Sequence, residues 1–109
     1  YQGMPALTKN SYGKGNAYYV CADFEQGFYD EFYKKVAETA DVKGALADIP
    51  EGIEVTTRYG EEYQYLFVQN FNRHAVKVAL PMNDAEMLLG NYDDGMIAAL
   101  ETIVLKRKI

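Results

Sequence analysis

Tryptophan is missing from this chain, and cysteine, histidine and serine occur once each, as Cys21, His74 and Ser11. A single cysteine excludes an intrachain disulfide and a cysteine-rich zinc site; a single histidine excludes a two-histidine metal site. No apolar run approaches the ~20 residues that cross a bilayer. Positive charge is also in short supply: 11 Lys+Arg stand against 16 Asp+Glu, a net charge of -5. That balance argues against nucleic acid, whose binding rests on cations that neutralise phosphates. No metal, cofactor, nucleic-acid partner or membrane partner is expected. What is present, 49% hydrophobic and 25% charged residues in 109, is the make-up of a soluble globular chain. The length suits one domain, or one domain with a piece of its neighbour.

The opening Tyr1-Gln2-Gly3-Met4-Pro5 lacks the basic and apolar segments of a secretory signal. Its start at a tyrosine suggests a fragment of a longer polypeptide. The lone cysteine without a signal suggests a reducing cytoplasm.

Two halves differ in periodicity. In the first, Ala6–Asn10 and Ala17–Cys21 look like strands around the turn Ser11-Tyr12-Gly13-Lys14-Gly15-Asn16, whose glycines can take positive φ. Asp23 is a plausible helix N-cap, with Gln26 at the reciprocal capping-box position. Apolar residues then recur at Phe24, Phe28, Phe32, Val36 and Ala40, flanked by Tyr29, Tyr33 and Ala37. At 100° per residue, Phe28, Tyr29, Phe32, Tyr33, Val36 and Ala40 fall within about 140°, leaving Asp30, Glu31, Lys34, Lys35 and Glu38 for water. This is an amphipathic helix, and a two-stranded hairpin is too small to hide its stripe. Asp41–Gly44 ends the helix, and Asp48–Gly52 reads as a turn-rich linker.

The second half has period two. Ile53, Val55, Thr57 and Tyr59 alternate with Glu54, Thr56 and Arg58, the pattern of a strand with one buried face. Tyr63–Asn70 is apolar on both faces and reads as a central strand. Val76, Val78 and Leu80 alternate again, and short strands follow near 85–89, 96–100 and 102–106. Five or six strands at this spacing indicate a small antiparallel β-sandwich or open barrel. The expected fold class is α+β: residues 1–46 form a hairpin plus amphipathic helix, and residues 47–109 form the β-domain.

Candidate chemistry is sparse. A carboxylate pair such as Glu61 with Asp94 could be imagined as a glycosidase acid and base, which need ~5 to ~9 Å between them. Both lie in turns, where a solvated surface is the better explanation. His74 has no partner and reads as a partly buried structural residue beside Val76 and Val78. Cys21 ends an apolar strand and reads as a small core residue. Tyr-Gly-Lys-Gly at 12–15 lacks the spacing and the Ser/Thr of a phosphate loop, so it is a hairpin turn. Of the tyrosines, Tyr18, Tyr19, Tyr29, Tyr33, Tyr63 and Tyr65 fall on core or half-core positions. Tyr92 alone lies in a loop where a ligand could reach it freely, which makes it the ligand-contact candidate. No catalytic, cofactor-binding or metal-binding residue is assigned.

The order of these pieces resembles the C-terminal end of a glycoside hydrolase family 42 β-galactosidase. The resemblance is carried by Asn10-Ser11-Tyr12-Gly13-Lys14-Gly15-Asn16-Ala17-Tyr18-Tyr19-Val20, the helix with Phe28 and Phe32, Pro50-Glu51-Gly52-Ile53-Glu54-Val55-Thr56-Thr57-Arg58, Tyr65-Leu66-Phe67-Val68-Gln69-Asn70, and Leu88-Leu89-Gly90. The final strand, Leu100–Leu105, departs from the family pattern in lacking a preceding proline and aromatic. The resemblance implies that residues 1–46 are the tail of a flavodoxin-like trimerisation domain and 47–109 the all-β C-terminal domain. It implies a catalytic barrel, with its two glutamates, outside this sequence. It further implies a non-catalytic accessory role here, partnered by that barrel and the trimerisation domain in a homo-oligomer. The alternative is a small β-sandwich that binds carbohydrate.

Overall fold

The structure, a computed structural model, describes residues 3–109. It divides into two compact units, Tyr1–Val42 and Lys43–Ile109.

In the first unit, β1 (Leu7–Tyr12) and β2 (Gly15–Val20) form an antiparallel hairpin, and α1 spans Gln26–Thr39. Tyr12 pairs directly with Gly15, so the loop is only Gly13-Lys14, and the strands run further into the turn than expected. Gly13 has φ +57 at the first loop position, where a side chain would be strained, and this is what allows a two-residue reversal. Leu7, Tyr18 and Val20 share one face of the hairpin by register. Tyr18 meets Phe32 of α1 edge to face, with ring centroids 5.4 Å apart. Along the helix Phe24, Phe28 and Phe32 contact in series at 4.1 and 5.6 Å, and Tyr29 stacks on Tyr33 at 6.2 Å. Despite this aromatic content, no described residue of the first unit is buried.

The helix start differs from the sequence expectation. Its N-cap is Glu25, with no side-chain cap hydrogen bond. Asp23 instead accepts a hydrogen bond from the Tyr29 hydroxyl (3.2 Å), and Gln26 donates to Asp30 (2.9 Å). A turn-to-turn pair along the helix (Gln26–Asp30) displaces the capping box.

The second unit holds β3 (Ile53–Tyr59), β4 (Tyr63–Asn70), β5 (Val76–Lys77), β6 (Ala85–Leu89), β7 (Met96–Ile97) and β8 (Thr102–Lys108). Strands β3-β4-β8-β6 form an antiparallel sheet in that order, and β5 pairs with β7 in a short ribbon. β4 is central, as its two apolar faces require. Register places Leu66 and Val68 opposite Leu105 and Ile103, and on this face they are fully buried. Val78 and Ile97, which follow and end the ribbon strands, join Ile53 and these four in one core. The result is a four-stranded sheet covered on one face by a two-stranded ribbon, a small open sandwich. Ile49 of the expected linker packs on the same core, as do Ala45 and Leu46, so the second unit takes in these residues as well.

On β3 the burial alternates from Ile53 to Thr57, but Tyr59 is 68% exposed, because the alternation outlasts the core at that end. A bulge between Met87 and Leu89 leaves Leu88 and Leu89 exposed. Gly90 follows at φ +99, and a Cβ there would stand 2.6 Å from the Thr102 carbonyl oxygen of β8. Only glycine lets the chain pass that close.

Candidate functional site

Two polar side chains, Asn70 and Gln64, organise the second unit. Asn70, at the end of β4, is 2% exposed. Its amide nitrogen donates to the carbonyls of His74 (3.0 Å), Ile97 (3.1 Å) and Ala98 (3.0 Å), and its oxygen accepts from the Asn72 N–H (2.9 Å). One buried amide therefore ties the sheet to the loops on either side of the ribbon. At the other end of β4, Tyr59, Gln64 and Arg107 are register partners across three strands. Arg107 Nε donates to Gln64 Oε1 (2.7 Å), and Gln64 Nε2 donates to the Tyr59 hydroxyl (2.9 Å). The sequence signal was available in both cases: a polar residue at each end of an otherwise apolar strand face. Among the described residues no buried side-chain polar atom lacks a partner. Such completeness is what a packed structural polar network requires.

The candidate residues read from the sequence are not gathered into a site. Glu61 is exposed in the turn between β3 and β4, and Asp94 is exposed in the turn before β7. His74 is exposed in the bend before β5, with Nδ1 3.2 Å from the Ala75 carbonyl, which corrects the expectation of partial burial. Its strand is two residues long and begins after it. Cys21 is exposed rather than a core residue, since the hairpin has no core, and its Sγ donates to the Pro5 carbonyl (3.0 Å). Tyr19 and Tyr33 are exposed for the same reason, while Tyr29, Tyr63 and Tyr65 are half-buried.

Tyr92 is not free in its loop. It is half-buried against the core, and its hydroxyl donates to the Val78 carbonyl at 2.6 Å. The ring thus closes the end of the β5–β7 ribbon, because a tyrosine can bury its body and still satisfy its hydroxyl on a ribbon carbonyl. A shallow open depression of about 420 Å³ lies over β6 and β8, lined by Tyr63, Asn83, Glu86, Lys106 and Lys108. Lys106 Nζ sits 4.0 Å from the Tyr63 ring centroid, so a cation covers one face of that ring. Among the described residues no group of three or more His, Cys, Asp or Glu could hold a metal ion, and no helix is long and apolar enough to cross a membrane.

A hairpin and helix with no buried residue among those described, followed by a small all-β domain with a core, define a composite of two pieces. Residues 1–43 match the model of the β-galactosidase trimerisation domain, and residues 52–107 match that of the β-galactosidase C-terminal domain. The chain is 40% identical over 89 residues to β-galactosidase BgaP of Planococcus sp. (strain L4), covering 82% of this chain and 13% of that protein. It is 37% identical over 91 residues to β-galactosidase BglY of Alicyclobacillus acidocaldarius, covering 83% and 13%. Among solved structures, the β-galactosidase from Rahnella sp. R3 superposes with a TM-score of 0.81 at 35% identity, covering 98% of this chain and 16% of that one. The β-galactosidase from Bacillus circulans gives 0.79 at 30%, with the same coverage. This chain belongs to the glycoside hydrolase family 42 β-galactosidases, and it corresponds to their C-terminal portion.

Proposed function

We propose that this chain is a non-catalytic assembly segment of a longer β-galactosidase. The first unit completes a trimerisation domain whose remainder lies outside these 109 residues, and the second unit forms the C-terminal domain. The longer chain hydrolyses terminal β-galactosides in a catalytic barrel absent here, and it works as a cytoplasmic homo-oligomer.

The observation that carries this reading is the first unit's lack of any buried residue among those described, although α1 carries Phe28, Tyr29, Phe32 and Tyr33. An amphipathic helix draws most of its stability from burying its apolar face. A helix whose apolar face is at most half-buried is a part awaiting its counterpart. The names of the relatives, and the 13% of their length that the chain spans, support the same conclusion.

The test compares the full-length polypeptide that contains this sequence with residues 1–109 alone on a chromogenic β-galactoside. Turnover by the long chain and none by the short one is expected. Turnover by the short chain, or a native polypeptide no longer than 109 residues, would end this reading.

A further inference from the structure

β3 is an edge of the four-stranded sheet, and unlike the other edge it is not blunted. Among the described residues no strand pairs with its outer side. Sheets guard such edges with bulges, prolines or short strands. β6, at the opposite edge, has its bulge between Met87 and Leu89. β3 runs seven residues, Ile53–Tyr59, in unbroken register with β4 and without proline.

The ends of the β3–β4 hairpin show which backbone groups face outward. The Gly60 N–H donates to the Tyr63 carbonyl and the Phe71 N–H to the Gly52 carbonyl, both at 2.8 Å. Hydrogen-bonded pairs alternate along an antiparallel ladder, so Glu54, Thr56 and Arg58 bond to β4. Val55, Thr57 and Tyr59 therefore turn their N–H and carbonyl groups away from it. The Thr57 carbonyl is capped only by its neighbour, whose Nη1 (Arg58) donates to it at 3.0 Å. Ile53 offers a carbonyl alone, since its N–H donates to the Pro50 carbonyl at 3.2 Å.

The side chains make this edge complementary to itself. Antiparallel pairing of two copies about Thr56 sets Val55 opposite Thr57, where the outward groups exchange hydrogen bonds. Exposed Glu54 then faces exposed Arg58 of the second copy, once on each side of the two-fold axis, and Thr56 faces Thr56. These are the non-hydrogen-bonded positions, where opposed side chains come closest. Opposite charges and paired threonines are favourable there. Within one strand Glu54 and Arg58 lie about 13 Å apart, too far to pair with each other. Sliding the partner by two residues keeps backbone bonds but sets neither charge against its opposite, so the charges fix the register. Tyr59, 68% exposed, gains Ile53 of the second copy as its cross-strand neighbour.

We propose that β3 joins two copies of this chain edge to edge, antiparallel about Thr56, with Glu54 of each copy paired to Arg58 of the other. Such a contact is two-fold, so it is distinct from the three-fold contact that a trimerisation domain implies and joins such assemblies in pairs. One strand pairing is small, but several between the same two assemblies act together. The proposal rests on the homo-oligomeric part of the reading above and adds to it a surface, a partner and a register.

Sedimentation of the full-length chain tests it through charge reversal. Glu54→Arg leaves β3 with cations alone, and Arg58→Glu leaves it with anions alone. Each variant by itself sets like charges opposite each other. Each should raise the dissociation constant of the paired assembly at least about tenfold and halve its mass. Mixing the two variants should restore the wild-type mass, because each then meets its opposite. The doubly substituted Glu54→Arg, Arg58→Glu chain should pair on its own. An oligomer whose mass neither single variant lowers would overturn the proposal and leave the reading above standing. Halves that stay apart on mixing would overturn it too, because an edge covered from within its own chain has no second copy to rescue it. β-Galactoside turnover, measured on the same samples, reports separately on the assembly-segment reading: its absence would remove that reading without altering the masses.

Discussion

Replacing Asn70 by Ala and by Asp should separate packing from hydrogen bonding in the second unit. The amide offers two protons to three carbonyls, so one proton is shared, and its oxygen accepts one N–H. Counting two donated bonds and one accepted bond at ~1 kcal/mol each gives a loss of roughly 3 kcal/mol for Asn70→Ala. For a unit this small that corresponds to a fall in Tm of about 12–24 °C. Asn70→Asp keeps the shape but turns the donor into a carboxylate facing three carbonyl oxygens. A buried charge without a partner costs about 4 kcal/mol or more, so Asp should be worse than Ala at neutral pH. Burial among acceptors raises the folded-state pKa of such an Asp above its unfolded value near ~3.9. The penalty is then complete above the folded pKa and recedes as pH falls toward the unfolded one, where the protonated acid donates one bond. Thermal unfolding followed by near-ultraviolet dichroism of the tyrosines, at neutral and acid pH, measures both effects. An Asp variant no less stable than the Ala variant at neutral pH, or a gap that widens in acid, would refute the reasoning.

Gly90→Ala should cost about 3 kcal/mol, because its Cβ meets the backbone of β8 at a φ that side chains resist; a near-native melting curve would show that β8 can retreat. Leu100→Asn should raise the stability of the second unit by roughly 0.5–1 kcal/mol in residues 1–109 alone, since Leu100 sits at φ +58 and asparagine tolerates this left-handed region better. A loss of stability in the same melt would mean that Leu100 packs within its own unit. Tyr92→Phe should lose about 1 kcal/mol with the bond to Val78, and calorimetric titration with galactose or lactose should be the same for both proteins. Millimolar binding that vanishes in Tyr92→Phe would instead make this hydroxyl a ligand contact. In residues 1–109 alone, the amides of α1 should exchange with deuterium at least about a hundredfold faster than those of β4 and β8, which are anchored by Leu66, Val68, Ile103 and Leu105. Comparable protection would show that the aromatic face is covered after all.

Much of the fold was written in local pattern. The period-two runs at Ile53–Thr57 and Tyr63–Asn70 give their strands because side chains alternate across a pleat, whatever the neighbours are. The aromatic spacing of Phe28, Phe32 and Val36 gives α1 for the corresponding helical reason. The sequence alone also settled the exclusions, since a chain with one His, one Cys and one Ser cannot assemble sites that need more. Segments such as Asn10–Val20 and Tyr65–Asn70 further placed it in the family that the comparisons bear out.

Burial was not legible, because it depends on what lies across the surface and not on the residue itself. The same apolar pattern that buries Leu66 and Val68 under the β5–β7 ribbon leaves Tyr19, Tyr33 and Cys21 exposed on a hairpin and helix with no core. Tyr92 looked free from its loop position, yet register and ribbon placement bring the Val78 carbonyl within 2.6 Å of its hydroxyl. Asn70 took its role from partners up to 28 residues away, which no local window contains. Composition and periodicity determined the elements and, by residue count, excluded an intrachain disulfide and a cysteine-rich or two-histidine metal site. Tertiary structure alone decided which apolar faces meet one another, and which are held out, as at Phe71 and Leu100, because only long-range contact can remove a side chain from water.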